Sequence, residues 1–85
     1  MSEKIKEILE FPVMYTFKAM GENSQDFISC VKEIFIDKQV DSFTEKPSSK
    51  GNYIAVSITC EVIDYDELES LYSSIMNVRG IKFYL

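Results

Sequence analysis

The feature that most restricts the fold of this chain is an alternation. From Ile54 onward the apolar residues fall on every second position: Ile54, Val56, Ile58, Cys60 and Val62. A period of two belongs to a strand with one buried face. Immediately upstream, Lys46-Pro47-Ser48-Ser49-Lys50-Gly51-Asn52-Tyr53 has the chemistry of a reversal. Pro47 cannot donate to a ladder, and Gly51 takes a positive φ without penalty. The chain therefore turns between them and enters a strand whose branched apolar content suits the inside of a sheet.

The remaining elements can be placed around that strand. Upstream, Phe11, Val13, Tyr15, Phe17 and Ala19 alternate with Met14, Thr16, Lys18 and Met20, which predicts a first strand over Phe11 to Met20. The first set is taken as the inward one, Pro12 fits the start or an edge of a strand, and Gly21 is expected to end it. Asn23 or Ser24 can cap a helix whose stripe is Phe27, Ile28, Val31, Ile34 and Phe35, fading near Lys38 or Gln39. Val40 to Lys46 reads as a second strand. It is polar apart from Val40 and Phe43, as an edge strand should be.

After the central strand, Asp64-Tyr65-Asp66-Glu67 is a variant capping box. It opens a helix with Leu68, Leu71, Tyr72, Ile75 and Met76 on one face. Gly80 suits a tight turn, and Ile81, Phe83 and Leu85 alternate with Lys82 and Tyr84 in a last short strand. The order is β-α-β-β-α-β. Two right-handed β-α-β units sharing one sheet make an α+β, ferredoxin-like sandwich with strand order 4-1-3-2 and both helices on one face. Ile81, Phe83 and Leu85 are expected in the core. The other face would show Met14, Thr16, Lys18, Tyr53, Ala55, Ser57 and Thr59, with Lys82 and Tyr84.

Length and composition agree with one such domain over residues 11–85, preceded by a flexible or weakly helical segment over 1–10. With 85 residues and 46% apolar content, one core suffices without staples. Cys30 and Cys60 have no C-x-x-C spacing and the chain has no histidine, so reduced structural thiols are expected and a zinc site is not. No apolar run approaches ~20 residues and no signal-peptide pattern is present, which predicts a cytoplasmic protein away from the membrane. The net charge of −5 weighs against a protein that lives on phosphate backbone.

With these residues in view, the chain resembles the YbeD-like family of small bacterial proteins from about Leu9 to Leu85. The resemblance rests on Leu9-Glu10-Phe11-Pro12, on Lys18-Ala19-Met20-Gly21, on Pro47 to Tyr53, on Leu71-Tyr72 and on Leu85. It implies an ACT-like version of the ferredoxin-like fold and a regulatory role connected with lipoate metabolism. It carries over no catalytic or binding residues.

Candidate functional residues concentrate in the turn. Ser48, Ser49, Lys50, Gly51 and Asn52 can aim hydroxyls, an ammonium and backbone N–H groups at a carboxylate or phosphate, with Tyr53 alongside as a cover. The plainer reading is a hairpin loop with local serine bonds and a solvated Lys50. A P-loop is excluded by spacing. Lys50-Gly51-Asn52-Tyr53 is also similar to the start of the RRM signature, but only Tyr53 is left to stack a base. Catalysis has little support: the cysteines lack a base, and capping explains Asp64, Asp66, Glu67 and Glu69. The expectation is a non-enzymatic regulatory or ligand-sensing module, without cofactor or metal, that binds a small molecule or a protein. A weak homodimer through the sheet face is part of it. The alternative is a nucleic-acid-binding module using that same face.

Overall fold

A computed structural model describes residues 10–85. The expectation for residues 1–10 falls, except at Glu10, outside the described residues. The elements are β1 (Val13–Glu22), α1 (Gln25–Ile34), β2 (Val40–Pro47), β3 (Tyr53–Val62), α2 (Tyr65–Met76) and β4 (Ile81–Tyr84). The sheet has four strands in the order β2-β3-β1-β4, all neighbours antiparallel. This is the ferredoxin-like arrangement that the β-α-β-β-α-β order implies.

Burial alternates without a break along β3, where Val56, Ile58, Cys60 and Val62 are fully enclosed. β1 pairs with it from Val13↔Val62 to Glu22↔Tyr53, so Phe17 and Ala19 share the inward face with Ile58 and Val56. Phe27, Ile28, Val31 and Phe35 of the α1 stripe and Leu68, Leu71 and Ile75 of α2 close the core. Each large side chain that is fully enclosed there, Phe17 or Ile58 for instance, contributes about 1.5–3 kcal/mol.

Both helices start on the expected caps. Ser24 Oγ accepts the Phe27 N–H at 3.2 Å, and Asp64 Oδ1 accepts the Glu67 N–H at 2.8 Å. Glu67 Oε1 reaches back to the Ile63 N–H at 2.9 Å and also holds Lys38 Nζ at 2.9 Å. The start of α2 is thereby tied to the segment that leads from α1 into β2. These bonds hold the Glu67 carboxyl below its usual range, the Ile63 N–H first and the Lys38 ammonium next. α1 ends at Ile34, earlier than its stripe suggests. Phe35, Ile36 and Lys38 bond three residues back, to Lys32, Glu33 and Phe35, and this tightening leaves Ile36 on the surface.

Besides the early end of α1 and a start of β1 at Val13 rather than Phe11, three expectations need correction, and two share one cause. β1 does not end at Gly21; it runs on to Glu22, and Gly21 is enclosed within it. A Cβ on Gly21 would stand 2.5 Å from the Gly80 carbonyl oxygen and 2.5 Å from Phe27 Cε1, so glycine lets the β4 entrance and a core ring close on the strand. At that point the β1–β4 register shifts: Gly21 pairs with Ile81 but Met20 pairs with Phe83, leaving Lys82 extra. The bulge reverses the expected faces of β4. Tyr84, opposite inward-facing Ala19, packs on Tyr72 with ring centroids 6.2 Å apart. Phe83 joins Met20 on the outer face and is 53% exposed, and Leu85 is exposed rather than in the core. Thirdly, Met76 lies outside the core, half exposed.

A second bulge lies at the other edge. Val40 pairs with Cys60 and Phe43 with Ile58, so three steps on β2 match two on β3. Val40 and Phe43 therefore both pack against the core despite their odd spacing, and Lys32 Nζ lies 5.1 Å from the Phe43 ring centroid.

Candidate functional site

The turn between β2 and β3 is a built structure. The Gly51 N–H donates to the Ser48 carbonyl at 2.9 Å, closing a four-residue turn, and the Ser48 N–H donates to the Tyr53 carbonyl at 2.8 Å. The Tyr53 N–H donates back to Ser48 Oγ at 3.2 Å. Gly51 has φ +77°, a conformation that glycine adopts without penalty. Asn23 then pins the turn from the β1–α1 junction. Its side-chain amide donates to the Gly51 carbonyl at 3.0 Å and its backbone N–H to the Asn52 carbonyl at 3.1 Å. Sequence reasoning weighed Asn23 only as a helix cap; this contact joins residues 28 positions apart and has no local signature.

The structure brings two of the six candidate residues together. Ser48 and Tyr53 line an open hollow of about 360 Å³ with Met20, Gly21, Lys82 and Phe83. Ser49, Lys50, Gly51 and Asn52 are exposed on the adjoining turn and are not among its lining residues. Tyr53 is 50% exposed and stands across from Glu22. Met20 and Lys82 were legible as outward-facing. Phe83 was missed because its face depends on the bulge.

Beyond the hollow, the uncovered face is small and polar. Ala55, Ser57 and Thr59 line β3, and the Thr16 and Thr59 hydroxyls bond each other at 2.8 Å. Met14 occupies the far end, half exposed, opposite Glu61.

The groups with chemical potential elsewhere are engaged in structure. Asp64 and Glu67 cap α2, and no cluster of three or more cysteine, aspartate or glutamate side chains is placed to hold a metal ion among the described residues. Burial pushes the Cys60 thiol up, opposed in part by the Lys38 ammonium, which makes it a poor nucleophile. The Tyr15 and Tyr72 hydroxyls bond each other at 2.8 Å, half-buried in a cluster with Phe17. Burial, and then that bond, push the Tyr72 hydroxyl well above the usual range, so it stays protonated under ordinary conditions. No helix among the described residues is long and apolar enough to cross a membrane.

Comparison with known proteins agrees with the fold and the resemblance. A UPF0250 protein of Pectobacterium carotovorum subsp. carotovorum is 37% identical over the whole of both chains. A UPF0250 protein of Yersinia pseudotuberculosis is 38% identical, again over the full length of each. Among solved structures, protein HP0495 from H. pylori superposes with a TM-score of 0.77 at 15% identity, covering 91% of this chain and 85% of that one. The ACT domain from the GTP pyrophosphokinase of Chlorobium tepidum gives 0.72 at 12% identity, covering 85% of this chain and 94% of that domain. The fold is thus ACT-like as well as ferredoxin-like. Residues 6–85 match the family described as protein of unknown function (DUF493), and with full-length relatives at this identity the chain belongs to that family of small bacterial proteins.

Proposed function

We propose that this protein is a non-enzymatic regulatory or ligand-sensing module whose binding surface is the open face of the sheet at the β2–β3 turn. One observation carries the reading. Met20, Tyr53 and Phe83 gather half-exposed apolar surface into a single hollow, next to a turn that Asn23 holds in place. Apolar side chains left uncovered around a fixed polar rim are the usual anatomy of a binding site. Ser48 and Tyr53 belong to the wall, and Ser49, Lys50, Gly51 and Asn52 form the polar rim. The ACT-like fold supports a small regulatory or ligand-binding role, and the lack of histidine supports a non-enzymatic one. The lipoate connection implied by the family resemblance names the first small molecule to try. Its aliphatic body suits the hollow, and its carboxylate suits Lys50 or Lys82.

The test is capture from a cell extract by tagged protein, with metabolites and proteins both identified, run for the wild type, Lys50→Ala, Tyr53→Ala and Phe83→Ser. Lys50→Ala and Tyr53→Ala change exposed residues and should leave stability within about 0.5 kcal/mol. Loss of the natural ligand at unchanged melting temperature supports the site. If the variants retain every ligand, or lose them only by unfolding, the hollow and the turn are structural and the reading is wrong.

A further inference from the structure

The open face differs in charge from the rest of the chain. Pairing places Lys46, Ala55, Met20 and Phe83 in one row across the four strands. The next row is Thr44, Ser57, Lys18 and Leu85, the last held by backbone bonds in both directions with Lys18. Lys82, the residue the bulge leaves extra, lines the hollow beside Phe83. Lys82 thus lines the apolar hollow, Lys46 shares its row at the β2 edge and Lys18 stands in the next row, and none of the three has an ion pair among the described residues. The carboxylates near this face stand toward its ends, Glu22 beside Tyr53 and Glu61 with Asp41 beside Met14. Yet the chain as a whole carries 14 carboxylates against 9 cations. Lysines kept free around apolar surface, on an otherwise acidic protein, form a local field that selects for an anionic, partly apolar partner.

We propose that this face docks an acidic peptide segment of a partner protein. One large apolar side chain of that segment sits in the hollow, and the carboxylates on either side of it meet Lys18, Lys46 and Lys82. The assignment rests on the reading of the open face as the binding surface. A hollow of about 360 Å³ that opens onto a flat face suits one anchoring side chain of a longer segment, with the lysines set around it for flanking charge. A second copy of this chain docked with its two-fold axis through the hollow would bring two like-charged lysine sets close together. A single-stranded nucleic acid needs successive stacking surfaces, but beyond the hollow the face is Thr16, Ser57 and Thr59.

The experiment follows amide resonances of the full chain during titration with a synthetic peptide that alternates glutamate with leucine around one phenylalanine. The expected shifts centre on Met20, Ala55 and Phe83, and affinity falls as salt is raised. Phe83→Ser should weaken binding tenfold or more, and so should Lys18→Gln, Lys46→Gln and Lys82→Gln together. The same three positions changed to arginine should retain it, which guards against a folding defect in the glutamine variant. The proposal is overturned if the peptide shifts nothing on this face, or if a glutamine-for-glutamate peptide binds equally. Tighter binding of oligothymidylate would also overturn it, as would the same shifts appearing on concentration alone, without peptide. If the peptide fails while extract capture still depends on Phe83, only the acidic-peptide assignment falls; if both fail, the binding surface falls with it.

Discussion

Gly21→Ala should be among the most damaging single-methyl additions the domain can suffer, and the reason is spatial rather than conformational. Gly21 has no positive φ. Its difficulty is that the new Cβ would meet a backbone oxygen and a ring at once, each at 2.5 Å, where ordinary contacts begin near 3.4 Å. Gly80 sits in the turn that launches β4, and Phe27 is 1% exposed in the core, so neither neighbour gives way freely. Overpacking of this kind costs about 1–3 kcal/mol, and two simultaneous clashes put Gly21→Ala near the top, about 3 kcal/mol. For a domain of this size that corresponds to a fall in melting temperature of about 15 °C. Gly51→Ala is the matched control, because its Cβ would meet nothing within 4 Å and only the φ of +77° is unfavourable. It should cost about 1 kcal/mol. Thermal and urea melts of both variants give the comparison directly. If Gly21→Ala is no worse than Gly51→Ala, the close packing of β1, Phe27 and the Gly80 turn is not what that glycine serves.

Cys60→Ser places a hydroxyl where the thiol is fully enclosed and should cost about 1–3 kcal/mol, with Cys30→Ala near neutral; fast labelling of Cys60 by a bulky thiol reagent in the folded state would contradict this. Glu67 has a folded pKa below its ordinary 4.5, so its stabilisation is present above that value and is lost as pH falls through the lower folded one. Glu67→Gln should cost about 1 kcal/mol at neutral pH and flatten acid unfolding in that window, and unchanged acid melts would refute it. Tyr72→Phe strands the half-buried Tyr15 hydroxyl and should cost about 1 kcal/mol. In an alkaline absorbance titration of the wild type, Tyr72 should ionise only as the domain unfolds.

Element order, the Asp64 cap of the second helix, the identity of the inner strand and a turn in which Gly51 can take positive φ were legible in the sequence alone, which left the first cap between Asn23 and Ser24. Each depends on spacing within a few residues: the alternation from Ile54 to Val62, the stripe from Phe27 to Phe35, and Asp64 three residues before Glu67. Local periodicity also carried the topology, because right-handed crossovers leave few ways to arrange two β-α-β units. The tertiary structure decided what two bulges do. Pairing at Met20/Gly21 and at Val40/Ser42 each takes in one extra residue. A period-two pattern read through such a point assigns every later side chain to the wrong face. Phe83 and Tyr84 exchanged faces for this reason, and the place of Phe83 in the apolar hollow beside Tyr53 was invisible to the sequence. The bulge at Gly21 coincides with the approach of Gly80 and Phe27, residues distant in the chain, and no local pattern encodes a contact that exists only after β4 has docked. Asn23 and the turn it holds at Gly51 and Asn52 obey the same physics, since a hydrogen bond across 28 positions is a property of the folded chain.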